Sequence, residues 1–171
     1  TKHWSWDAQF TDRLLAVYDN IGDIIDGILI NSENYQGLSL LQDEYVGRIH
    51  CVYADPPYNA KSSEIIYKNS YKHSSWISMM SDRLYLASRL KDKYGALITA
   101  IDENELVNLC QLVNTIFPDY NTDCISIVHN PAGVQGDNFS YSHEYAVYTF
   151  ERLKSIIGKT ERAEESEEAF R

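Results

Sequence analysis

A chain of 171 residues is long enough for one domain with a sizeable core, and 44% hydrophobic residues sets it apart from disordered chains. A formal net charge of −10 counts against a protein that grips nucleic acid unaided, because phosphate neutralisation supplies most non-specific affinity and leaves a basic footprint. No apolar run approaches the roughly 20 residues of a membrane span, the first ten residues lack the apolar centre of a signal peptide, and Cys51, Cys110 and Cys124 are too scattered for a metal site, so a cytoplasmic protein without membrane or metal is expected, with Cys51 and Cys110 as small buried hydrophobes.

Asp7, Phe10, Leu14, Leu15 and Tyr18 have helical spacing and predict a peripheral helix within an N-terminal segment, residues 1–26. A short strand is expected at 27–30, and Ser32 is placed to cap a helix whose apolar face is Tyr35, Leu38 and Leu41. The run Ile49, His50, Cys51, Val52, Tyr53, Ala54 reads as a buried strand that ends where Pro56 and Pro57 forbid further ladder bonds. After a polar loop, Trp76, Met80, Leu84, Ala87 and Leu90 mark one face of a helix that starts near His73. A second buried strand follows at 95–101. Asp102 and Glu105 then form a capping-box pattern, and Leu106, Leu109, Val113 and Phe117 make the core stripe of a helix that stops before Pro118. Two more strands, 124–128 and 144–150, flank a loop too long for a tight hairpin; lacking a helical crossover, they are expected to be antiparallel. Alternation of strands and helices predicts a doubly wound, Rossmann-like α/β sheet with this antiparallel pair at its edge.

Asp55-Pro56-Pro57-Tyr58 is the most informative stretch. At the carboxyl end of a strand, where α/β sheets bind ligands, it offers an acid, two stiff carbonyls and a ring. That set suits a flat molecule bearing an amino group. The carboxylate and a proline carbonyl each accept one N–H, and the ring stacks on the face.

The tetrapeptide resembles the catalytic motif of amino-group DNA methyltransferases. The likeness continues in Asn59, His73-Ser74-Ser75-Trp76, Arg83-Leu84, Gly95-Ala96-Leu97-Ile98, Ile101-Asp102-Glu103-Asn104-Glu105 and His143-Glu144-Tyr145-Ala146-Val147-Tyr148, in one order across residues 28–150. It is nearest to the modification subunits of type III restriction–modification systems. The resemblance implies methyl transfer from S-adenosylmethionine to the exocyclic N6 of an adenine in DNA, with Asp55, Pro56, Pro57 and Tyr58 catalytic. Asn59, Phe139, Tyr141 and His143 are further candidates for contact with the base, and Asp55 neighbours the cofactor. Absence of a Pro-Cys dipeptide speaks against a covalent cytosine C5 mechanism. Alternatives are a cytosine N4 enzyme, an RNA or protein-glutamine methyltransferase with a related pocket, or a non-catalytic scaffold within a modification complex.

The family also needs a glycine-rich cofactor loop, and no pair among the eight glycines has the spacing for one; Gly133 and Gly136 have no helix behind them. The expectation is therefore a catalytic half, residues 27–152, followed at 153–171 by an acidic tail or the start of a target-recognition region. A fragment of this kind leaves one flank of strand 49–54 unpaired. A second copy of the chain or the remaining half of the enzyme is expected to cover it, with DNA and a restriction subunit as further partners.

Overall fold

The computed structural model describes residues 10, 12–13, 16–20, 22, 24–60, 72–136 and 139–152. They fall into two units, Thr1–Ser32 and Glu33–Arg171. The expected acidic tail lies beyond the described residues, as do Asp7, Leu14 and Leu15 of the first helical stripe.

In the first unit Phe10, Asp12 and Arg13 are helical, and the Ala16 N–H donates to the Asp12 carbonyl at 3.0 Å. The strand expected at 27–30 does not form. The segment has no ladder partner among the described residues, and Leu29 is 97% exposed. Its β-branched composition alone is not enough without a neighbour to pair with.

In the second unit, helix α1 (Asn34–Tyr45) is capped one residue later than Ser32: the Glu33 carboxylate accepts from the Gln36 N–H at 3.3 Å. Strand β1 (Ile49–Ala54) follows, then helix α2 (His73–Leu90) and strand β2 (Lys91–Ile101). Helix α3 (Leu106–Ile116) leads to strand β3 (Tyr120–Val128). A small hairpin of β4 (Val134–Gln135) and β5 (Ser140–Tyr141) fills the long loop before β6 (His143–Glu151).

The main sheet has the order β1-β2-β6-β3. Strands β1 and β2 run parallel, whereas β6 lies antiparallel between β2 and β3. The edge pair is thus antiparallel, as its missing crossover required. Strand β2 begins four residues before Gly95, because Lys91 already pairs with Ile49, and a register shift separates that pair from Cys51 and Ala96.

Val52, Leu97, Thr99 and Val147 share the inner face by register. Trp76, Met80 and Leu84 of α2 and Leu109, Leu112 and Val113 of α3 close over it, forming one core with Leu97, Ile101, Phe117 and Val147. The α2 stripe read from the sequence is buried at all five positions. On the outer face Cys51 is exposed and Tyr53 is 66% exposed, with no helix over them among the described residues. Cys51 is therefore not the buried hydrophobe its neighbours suggested, and Cys110 is half-buried. The reason is that α2 and α3 cover the Val52 face of the sheet and no described helix covers the other, so the apolar run of β1 serves one covered face rather than two.

No helix among the described residues is long and apolar enough to cross a membrane.

Candidate active site

Strand directions decide what meets at one end of the sheet. Strands β1, β2 and β3 point the same way, and β6 runs against them. The segment after Ala54, the turn after Ile101, His129 and the start of β6 at His143 and Glu144 therefore share that end.

Asp55, directly after β1, is exposed. Pro56, Pro57 and Tyr58 are half-buried, and Tyr58 packs against the core. Two bonds fix the motif from opposite sides. The Trp76 indole N–H, on α2 and wholly buried, donates to the Pro57 carbonyl at 2.8 Å. The Tyr58 hydroxyl donates to Glu144 Oε2 on β6 at 3.1 Å. Burial, then the charges of Asp55 and Glu144, hold the Tyr58 phenol well above its ordinary pKa, so it stays a protonated donor.

Asn59 adopts φ 63°, the only described non-glycine residue with positive φ. That left-handed conformation is uncommon outside glycine, and Asn is among the residues that tolerate it best. Its amide donates to Glu105 Oε1 at 2.6 Å. Glu105, at the start of α3, is completely buried. It also receives His73 Nδ1 at 2.8 Å and, on Oε2, the Asn108 amide at 2.6 Å. A carboxylate can only accept, so the contact is a hydrogen bond in the tautomer that has the His73 proton on Nδ1.

The capping box expected for Asp102 and Glu105 is not made. Asp102 instead accepts from the Asn104 N–H at 2.9 Å and the Asn104 amide at 2.7 Å, and the Glu105 carboxylate, which bonds no backbone N–H of its helix, accepts from the Asn59 and Asn108 amides. Burial raises the pKa of Asp102, with the Asn104 bonds opposing and the nearby Glu103 and Glu144 charges reinforcing.

His143 Nε2 lies 2.9 Å from the Tyr145 hydroxyl, and its ring meets that of Tyr145 edge-on. His129 approaches Glu144 at 3.9 Å. Phe139 is 74% exposed and Tyr141 stands on the β4–β5 hairpin, where its ring crowds Gly136. Bonds thus draw Pro57, Tyr58 and Asn59 together with Trp76, Glu144, Glu105 and His73, while Phe139 and Tyr141 stand apart at the hairpin. Glu105 is the residue the sequence reading did not single out as part of the site.

On the other side of the motif a cleft of about 250 Å³ opens between α1, β1 and α2. Its walls include Leu38, Val52, Asp55, Pro56, Met79 and Arg83. Arg83 is tied to Glu33, the cap of α1, which joins the two helices across the cleft.

Residues 49–166 match the family model described as DNA methylase, more than half of the chain. The chain belongs to the DNA methylase family. It is 27% identical to the probable type III restriction–modification enzyme HindVI Mod subunit of Haemophilus influenzae, over 68% of this chain and 16% of that protein. With the EcoP15I Mod subunit of Escherichia coli it shares 23% identity over 77% of this chain and 25% of that one. The chain thus spans a quarter or less of the length of these two relatives. The crystal structure of the M1.HpyAVI–SAM complex superposes with a TM-score of 0.53 at 12% identity, covering 80% of this chain and 60% of that one, a likeness of fold. The partial methyltransferase sheet expected from the sequence is the fold observed.

Proposed function

We propose that this chain is the catalytic half of a DNA methyltransferase that moves a methyl from S-adenosylmethionine to the exocyclic N6 of adenine, as the modification component of a restriction–modification system. The observation that carries the proposal is the Asp-Pro-Pro-Tyr segment at the carboxyl end of β1, with its acid exposed and both its ring and its Pro57 carbonyl held by bonds from other elements.

The target base leaves the duplex before it reacts, since its amino group is paired inside the stack. Tyr58 offers a ring for the flipped base; such stacking contributes roughly 1–3 kcal/mol. Asp55 accepts one amino hydrogen and the Pro56 carbonyl the other. Those bonds orient the nitrogen lone pair, and Asp55 or solvent takes the proton released. Catalysis of this kind is positioning above all. S-adenosylmethionine, when bound, supplies an electrophilic methyl on a sulfonium. The cleft of about 250 Å³ beside Asp55 falls below the ~300–1,000 Å³ usual for a whole ligand of that size, so the residues described here fit one edge of it. Weak or undetectable binding of S-adenosylmethionine by these 171 residues alone, measured by calorimetry, is the matching expectation.

Relatives named as Mod subunits support DNA as the substrate and a restriction subunit as a partner. The cytoplasm is the compartment that goes with such a substrate. The edge of β1 that has no ladder partner among the described residues is where the rest of the enzyme, or a second copy, would complete the sheet.

The test is transfer of labelled methyl groups to duplex DNA by the full-length protein, with the methylated nucleoside identified by mass. The wild type yields N6-methyladenine. Asp55→Ala abolishes transfer, while its unfolding midpoint stays near that of wild type because Asp55 is exposed. Transfer retained by Asp55→Ala overturns the role given to that residue, and a product other than methyladenine overturns the substrate.

A further inference from the structure

We propose that Glu105 is a positioning residue for methyl transfer, acting through Asn59 on the motif that precedes it. The inference rests on the function proposed above for Asp55 to Tyr58 and extends it to a carboxylate that touches neither base nor cofactor.

Three observations carry it. Glu105 is the only acidic residue of the described core, with no exposed surface. A buried carboxylate survives only if its oxygens are satisfied. Here the donors come from three places: Asn59 after the motif, His73 at the first turn of α2, and Asn108 on α3. Of these, only Asn108 is local. The other two lie 46 and 32 residues earlier in the chain, so the group serves to join the motif loop to the two helices rather than to cap its own helix.

The second observation is where the tie is attached. Asn59 directly follows Tyr58 and has φ 63°. Its side chain is anchored by the amide bond to Glu105. The third is that the opposite side of the motif has its own anchor, the Trp76 bond to the Pro57 carbonyl. Pro57 and Asn59 are thus each pinned, with Tyr58 between them. The backbone that sets the orientation of its ring toward a base is thus held at both ends of this three-residue span. Release of the Glu105 bond loosens the residue next to Tyr58, whose hydroxyl keeps its bond to Glu144. A displacement of about 1 Å at such a site costs on the order of a hundredfold in rate.

The experiment compares Glu105→Met, Asn59→Gly and the double variant in the full-length protein. Met keeps the length of Glu and fills the buried site but offers no acceptor to Asn59, His73 or Asn108, and Gly accepts the left-handed φ while removing the tether. Each single variant is expected to lower kcat on the order of tenfold to a hundredfold, with the KM for S-adenosylmethionine within about twofold of wild type. The double variant is expected to lose no more than Glu105→Met alone, because the Asn59 bond is among those that variant already removes. Hydrogen exchange of a peptide spanning residues 55–60 should quicken several-fold in both single variants, while a peptide from α3 stays protected. A kcat within twofold of wild type for Glu105→Met, or additive losses in the double variant, overturns the proposal. So does equal deprotection of α3, which marks a role in the fold alone. If the wild-type protein methylates no DNA, the proposed function fails, and exchange at 55–60 then decides by itself whether Glu105 pins the motif.

Discussion

Trp76→Phe separates the part of the core that merely fills space from the part that holds the motif. The indole is wholly buried, and its N–H donates to the Pro57 carbonyl at 2.8 Å. Phenylalanine keeps an aromatic ring in the stripe of α2 and loses the donor. Two costs follow. A half-buried carbonyl left without its partner costs about 1 kcal/mol, the low end of the range for buried groups, since water reaches it in part. The smaller ring leaves about 40 Å³ empty, which at about 24 cal/mol per Å³ adds about 1 kcal/mol. Together they make about 2 kcal/mol or more, a large share of the ~5–15 kcal/mol that stabilises an ordinary domain. In urea, with a slope of about 1–3 kcal/mol/M, the midpoint should fall by more than about 0.7 M at an unchanged slope. Activity measured well below the midpoint should fall as well, because the Pro57 carbonyl is no longer fixed beside Tyr58. A midpoint within about 0.3 M of wild type would refute the claim that this bond is satisfied at the expense of a buried donor. A clear loss of stability with full kcat would keep the core argument and refute the positioning one.

Tyr58→Phe keeps the stacking ring and removes only the bond to Glu144, so DNA affinity should change less than twofold or so, whereas Tyr58→Ala should weaken it by about 1–3 kcal/mol in a direct binding assay. The raised pKa of the Tyr58 phenol makes stability depend on pH in one direction. The folded state holds this proton more tightly than the unfolded state, so the contribution is complete below the ordinary tyrosine pKa near 10 and is lost as pH rises above it; the unfolding midpoint of wild type should fall more steeply between pH 10 and 11 than that of Tyr58→Phe. Gly95→Ala tests the β1–β2 approach, because an added Cβ would stand 2.5 Å from the His50 carbonyl oxygen. It should cost about 1–3 kcal/mol in denaturant unfolding, and a neutral effect would show that β1 can shift away from β2.

The elements that were legible in the sequence are those whose signal is local and periodic. The strand 49–54 was bounded by its prolines, and the stripe Trp76, Met80, Leu84, Ala87, Leu90 repeats at the helical period on a helix that buries all five. Pairing after Gly95 was legible, but its start at Lys91 was not, since Lys91 to Tyr94 carries no alternation and joins the ladder only through the irregular register with β1. Glu105 was misread for a physical reason. An acid three residues after Asp102 satisfies the capping-box pattern, and a local explanation hid distant partners 46 and 32 residues away. Trp76 was read correctly as core; that its indole N–H also reaches Pro57 follows only once the chain between them has folded back. Cys51 was misjudged because an apolar run does not reveal whether one face of its strand is covered or two.

The acidic character of the site fits a division of labour. Asp55, Asp102 and Glu144 all lie at the end of the sheet where the base would enter, in a chain of net charge −10. Such a surface repels a phosphate backbone and admits a neutral amino-purine, whose N–H groups it can only accept from. A duplex held close to these carboxylates would therefore be disfavoured, and an extruded base with its phosphates kept at a distance would not. Affinity for the DNA backbone then has to come from cations outside these residues, which carry no chemistry, while the pocket contributes selectivity for an amino group and, beyond the stacking on Tyr58, little binding. On this argument the salt dependence of DNA binding should be unaltered by Asp55→Asn, whereas methyl transfer should be lost; a variant that gained DNA affinity in low salt, with a steeper salt slope, would show that Asp55 faces a phosphate rather than a base.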